Sequence, residues 1–435
     1  MAASAMVLAF SLSTIPAPVL AVSSNIVAET KNVNTLTISQ IQDLAVIYND
    51  TAQKLQLSMK QLDLNEQMLR NQRRTVENGI NSMGGSFSSG SSSADILASM
   101  QALVSEKYDG DAEAAKKDPY YQALLVNYQS AMMTEQSMAA SMQSSLDSAL
   151  DGIDQLNDSL DSISNNKDDL SKGIKDLETQ MRYTSAKIAL SIVQLDKGIE
   201  LIEDQIALLE KSVQIAELQQ KLGMNIVTDV ESQQTSLKDA QKNLEDQKET
   251  LSTLKRTLNI LIGRNAGNPL EVVPMNLPVA IDPAPAYTEK LIQQFTDSNY
   301  TLKTLERDKA DLKDSVESDM GSDERQNIDY QVEAKNQEIK DQKQAISDDL
   351  KALLAKINSD GEAYKVSRQK YVTEKKNFEY TQKKYQLGMI SAIQLQQAEL
   401  QLKQAEMTNM QNGYQFYLDW QKYYAAEKGV DMSNF

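Results

Sequence analysis

Between residues 167 and 222 the apolar positions recur at alternating spacings of four and three: Ile188, Ile192, Leu195, Ile199, Ile202, Ile206, Leu209, Val213 and Ala216. This is a heptad seam. Beside it Leu201, Leu208, Ile215 and Leu222 form a second line spaced by sevens. The two lines make a stripe roughly 120° wide, more than a two-stranded coiled coil uses, so the helix calls for more than one helical neighbour. At about 1.5 Å per residue it would span roughly 80 Å. Gly223 interrupts the pattern, which resumes at Thr228 and Asp229 with Val230, Leu237, Leu244, Leu251 and Leu258 spaced by sevens. The companion positions Gln233, Ala240 and Gln247 are small or polar near Gly223, and become Leu254 and Leu261 further on. The pattern predicts an antiparallel helical hairpin with a loosely packed tip.

The rest of the chain is punctuated more weakly. A helix opening at Leu36-Thr37-Ile38, with Thr37 or Ser39 as N-cap, is expected to run through Ala45, Leu55, Leu62 and Leu69 to Gly79. A Gly/Ser-rich run occupies residues 82–93. Shorter helices interrupted near Gly110 and Pro119 follow, then a helix from Tyr120 that frays at Asn165-Asn166. Residues 263–286 form a Pro-rich linker. Helix resumes at Tyr287, weakens at Gly321-Ser322, and continues to Leu387 with a kink expected at Gly361. After Gly388 a last helix carries Ile393, Leu400, Met407 and Tyr414 by sevens and ends near Gly429.

The two interruptions match each other. Leu222-Gly223-Met224, with Thr228, Asp229 and Val230 after it, aligns with Leu387-Gly388-Met389, with Ile393, Gln394 and Leu395 after it, at an offset of 165 residues (388 − 223). An internal duplication of a helical hairpin accounts for this. With its repeat openings at Leu36-Thr37-Ile38 and Tyr287-Thr288, the chain resembles the TolC family of outer-membrane efflux proteins. The resemblance implies an all-α chain of long antiparallel coiled-coil hairpins with little or no β structure. Its first repeat would span residues 36–262 and its second 287–430, forming an α-barrel duct. It also implies a homotrimer in an efflux or type I secretion conduit, with both tips docking to a membrane-fusion adaptor. The docking residues would be Leu222, Gly223, Met224, Thr228, Asp229 and Val230 in the first tip. Those of the second would be Leu387, Gly388, Met389, Ser391 and Gln394. The row Ile188–Val213 would serve as assembly seam. The second tip departs from the family pattern at Ile393 and Gln394 and is expected to be the looser. Membrane strands, which need about 9–11 alternating residues each, have no recognisable counterpart.

Composition narrows the chemistry. The 435 residues include no Cys and no His, which excludes disulfides, thiolate nucleophiles, zinc–thiolate sites and imidazole bases. No phosphate-binding loop or catalytic dyad stands out, so no enzyme, cofactor or metal is expected. A formal charge of −17 speaks against nucleic acid. The apolar, small-residue start, closing at Val19-Leu20-Ala21, reads as a signal peptide over residues 1–21, although the first basic residue is Lys31. Phe435 ends the chain as in many barrel proteins, but without an alternating strand before it. Three function classes stay open. They are a TolC-like conduit component, a barrel-less exported scaffold or adaptor of the cell envelope, and an unrelated secreted coiled coil, against which the duplicated tip argues.

Overall fold

The computed structural model describes residues 33–83, 93–222, 227–277, 281–316 and 320–435, without the side chains of 82–83 and 227–229. The leader expected over residues 1–21 and the tip residues Gly223 and Met224 fall outside the described residues, as do the side chains of Thr228 and Asp229. The chain divides into two compact units, residues 55–171 and the remainder.

Helix α1 (Ile38–Ile47) is followed by α2 (Asp50–Met83), α3 (Ser93–Lys107), α4 (Ala112–Ala115) and α5 (Pro119–Lys221). Then come α6 (Val227–Leu261), α7 (Glu289–Ser298), α8 (Tyr300–Asp314), α9 (Ser322–Gln386) and α10 (Ala392–Glu427). Among the described residues the strands are β1 (Thr35–Leu36) and β2 (Glu271–Val272), paired in parallel. No described helix is long and apolar enough to cross a membrane.

Caps decide where helices begin. Thr37 closes a capping box with Gln40, whose Oε1 accepts from the Thr37 backbone at 2.9 Å. The helix expected to run on from there instead breaks at Tyr48. Asn49 Oδ1 accepts from the Ala52 backbone at 2.8 Å and starts α2. The second repeat does the same: Thr288 caps α7, and Asn299 Oδ1 caps α8 through Leu302 at 2.8 Å. Asn side chains compete with the backbone for its own donors, and that competition ends a helix. Gly79 and Asn165-Asn166 do not: α2 and α5 run straight through them. A single poor helix former costs at most about 1 kcal/mol, which neighbouring turns absorb. Gly361 lies inside an uninterrupted α9 and serves close packing, since a Cβ there would come within 3.1 Å of Phe416.

The larger unit holds two apolar clusters. In the first, Leu36, Ile41 and Leu44 pack with Ala186, Leu190 and Val193 of α5, Leu258 and Ile262, and Tyr414 and Leu418 of α10. The second gathers Phe295, Leu302, Ile346, Leu350, Ile357 and Tyr364 with Phe416 and Tyr423, again of α10. The C-terminal residues tie elements together. Asp431 accepts from Asn299 at 2.7 Å, from Gln342 at 3.0 Å and from the Thr301 hydroxyl. Phe435, which carried no meaning in the sequence, packs edge-on against Tyr183 of α5 at 5.1 Å.

In the unit of residues 55–171, α2 and α5 run antiparallel. Lys167 pairs with Asp63 at 2.6 Å and Glu66 at 2.7 Å, and Arg73 reaches Asn157 at 3.1 Å. Asp118 clasps the α3–α5 connection, accepting from Lys107, Tyr108 and the Tyr120 backbone; those bonds hold its carboxyl well below the usual range. Nine residues, 84–92, separate α2 from α3, and seven, 315–321, separate α8 from α9. Neither connection is long enough for a pair of membrane strands of about 9–11 residues each.

Two outcomes follow from the packing. Gly263 has φ +70°, and a Cβ there would meet the Tyr48 ring at 2.3 Å. Gly263→Ala should therefore cost about 2 kcal/mol or more in urea unfolding, and Gly267→Ala, with open space around it, less than about 0.5 kcal/mol.

The second outcome concerns Asp419, which is fully buried on α10. Gln415 donates to it at 3.0 Å, and Lys356 lies 3.5 Å away while pairing with Asp360 at 2.6 Å. Lys422 on its own helix and Tyr183 on α5 also feel its charge. One ammonium serves two carboxylates, so burial, and then the neighbouring Asp360, push Asp419 up to about 7. A carboxyl raised in the fold binds its proton more tightly there than in the unfolded chain. Its contribution is complete below the unfolded value of 3.8 and is lost as pH rises through about 7. Asp419→Asn should gain melting temperature over the parent progressively from pH 4.5 to pH 8; an equal offset at both pH values would contradict this.

Candidate functional site: the hairpin tips and the inter-repeat seam

The second tip is built from satisfied helix ends. Gly388, at φ +70°, follows the α9 C-cap Leu387. Its N–H donates to Tyr385 at 2.9 Å, and the Met389 N–H donates to Lys384 at 2.9 Å. These two bonds make a Schellman closure, which favours Gly at that position. Ser391 then caps α10. Its hydroxyl accepts from the Gln394 backbone at 3.3 Å, and Gln394 Oε1 accepts from the Ser391 backbone at 2.9 Å. Gln394 is therefore the third residue of a capping box, and the departure from the family pattern completes this turn without loosening it. Leu387 and Met389 stand out from the turn, 76% and 67% exposed.

At the first tip α6 already begins at Val227, so Thr228 and Asp229 fall in its first turn and do not precede it. Leu222 is 65% exposed, whereas Val230 is buried.

The seam on α5 is occupied by the chain's own helices. Ile192, Ile199, Ile206 and Val213 are buried, and Ile188, Leu195, Ile202 and Leu209 are half-buried. On one side α6 runs antiparallel, with Lys255–Asp196 at 3.2 Å, Lys248–Glu203 at 2.7 Å and Gln234–Glu217 at 3.0 Å. On the other side α10 runs antiparallel, with Lys403 paired to Asp204 and Lys211 donating to Gln396 at 2.8 Å. Hydrogen bonding to Asp204 raises Lys403 above the ordinary lysine range. These contacts join repeat to repeat and, by their register, bring the end of α5 at Leu222 toward the Gly388 turn. Charge in the Ile199–Ile206 row would thus disrupt the chain's own packing. The outer row is different: Leu201 is buried, Ile215 is 41% exposed, and Leu222 more so. The Lys403–Asp204 clasp escaped sequence reading, because the partners lie 199 residues apart and have no motif.

No family profile matches the sequence, and no curated protein is significantly similar to it. Solved structures do match. The CmeC outer membrane channel of Campylobacter jejuni is 11% identical, over 64% of this chain and 70% of its own, with a TM-score of 0.43. The outer membrane protein VceC of Vibrio cholerae is 14% identical, over 63% of this chain and 76% of its own, with a TM-score of 0.40. CusC, solved in a study of folding and transmembrane channel formation, is 12% identical, over 90% of this chain and 95% of its own, with a TM-score of 0.48.

Proposed function

We propose that this chain is an exported component of a TolC-like efflux or type I secretion conduit. Copies of it, three by the resemblance, would stand side by side in the cell envelope as a helical duct. The observation that carries the reading is the antiparallel pairing of α5 with α10, helices of the two matching hairpins. Paired long helices of this kind offer helical faces to neighbours and a turn to a partner. At the second tip Leu387 and Met389 are apolar, exposed and held by a closed turn. The partner proposed there is the helical hairpin of a membrane-fusion adaptor. The nine- and seven-residue connections favour a second reading on one point: the chain would serve as a barrel-less scaffold or adaptor of the envelope, with any membrane passage supplied by another protein.

Leu387→Ser with Met389→Ser separates docking from folding. Both residues are exposed, so the melting temperature should hold, within about 0.5 kcal/mol of the parent. A photo-crosslinker at residue 387 or 389 should capture one envelope protein with a helical hairpin, and the same group at the exposed Ile260 should not. Loss of that capture in the double variant supports docking; equal capture from residue 260, or none from either tip position, contradicts it.

A further inference from the structure

Between Asp118 and Asp147, α5 carries a single charged side chain, Glu135, and no Lys or Arg occurs between Lys117 and Lys167. Glu135 is tied down: its carboxylate accepts from the Ser93 backbone at 2.8 Å and the Ser93 hydroxyl at 2.6 Å, at the start of α3. Those bonds hold it below the usual glutamate range. The rest of the segment is a seven-residue repeat in three copies: LVNYQSA over 125–131, MMTEQSM over 132–138 and AASMQSS over 139–145. Each copy has Gln-Ser at the same place, namely Gln129-Ser130, Gln136-Ser137 and Gln143-Ser144. In heptad terms Val126, Met133 and Ala140 fill one seam position and the three Gln residues the other. Among the described residues this seam is left without a packing partner. Residues 132–141 are exposed without a break, Val126 is 62% exposed, and Met133 is 75% exposed.

We propose that this face is where two or more copies of the chain meet, parallel and in register around a rotation axis. The inference rests on the self-assembly reading above and assigns it a surface. Three observations select a second copy as the occupant. A repeat of seven residues advances about 10.5 Å, so the partner must share a helical pitch, and the same helix does so at every turn. Gln at one seam position, level with Gln of the neighbour, can bond across the axis, whereas in hydrocarbon it would be left unsatisfied. The chain is acidic overall, so like copies repel over most of their surface, and this charge-poor stretch avoids that repulsion. A lipid surface is disfavoured, because amphipathic helices that lie on membranes carry Lys and Arg along the polar face and this one has none.

The test uses the full chain. Since the sequence has no Cys, Met133→Cys is a single-thiol probe. Mild oxidation should link two Met133→Cys chains, and a Glu245→Cys control on the exposed face of α6 should stay unlinked. In sedimentation experiments Val126→Lys with Met133→Lys should raise the half-assembly concentration at least about a hundredfold with unchanged helicity. If the double variant assembles like the parent, this surface is wrong while self-assembly stands. If the parent itself stays a single chain, both readings fail. Flotation of the parent, but not the variant, on phosphatidylglycerol vesicles would make lipid the occupant and overturn the proposal.

Discussion

Helix α10 buries two faces at once. Tyr414 and Leu418 enter the cluster shared with α1, α5 and α6, while Phe416 and Tyr423 enter the cluster of α7, α8 and α9. Each such side chain is worth about 1.5–3 kcal/mol on burial, so this one helix couples two cores that would otherwise be separate bundles. The close approaches around it follow. Gly413 leaves room for Leu277, and Gly361 for Phe416. The buried Asp419, with Lys356 and Asp360 beside it, sits on the same helix. Lys403 and Gln396 extend the contact toward the tips.

The hairpins could be read from the sequence because they are repeated one-sided burial. A heptad seam shows itself wherever a single face is covered for many turns, as on residues 188–216. The wide stripe on α5 asked for more than one partner, and α6 and α10 supply two within the chain. The same logic failed where the deciding energy was a single hydrogen bond. Asn49 and Asn299 divide helices because each side chain satisfies a backbone donor, while Gly79 and Asn165-Asn166, which look more disruptive, divide nothing. The capping box of Ser391 and Gln394 was hidden by alignment with the other tip, which pointed to the position of Asp229 instead. The burial of Asp419 and the docking of Phe435 onto Tyr183 depend on residues far apart in the chain, and no local pattern announces them.

The same physics separates the two units. In the larger one, apolar rows are consumed by intramolecular helices. In residues 55–171 a regular repeat of Val, Met, Ala, Gln and Ser is left facing water. The connection 84–92 in this unit has nine residues and 315–321 in the larger unit has seven, each shorter than two membrane strands of about 9–11 residues. In the proposed reading, assembly and docking would use helix faces and turns.

The central proposal is that this chain is one stave of a multi-chain helical duct. The most direct test is the mass of the protein lacking residues 1–21 by light scattering in detergent-free buffer at tens of micromolar, with circular dichroism on the same sample. The account predicts a strongly helical particle with three times the mass of one chain. A well-folded helical species with the mass of a single chain would contradict it.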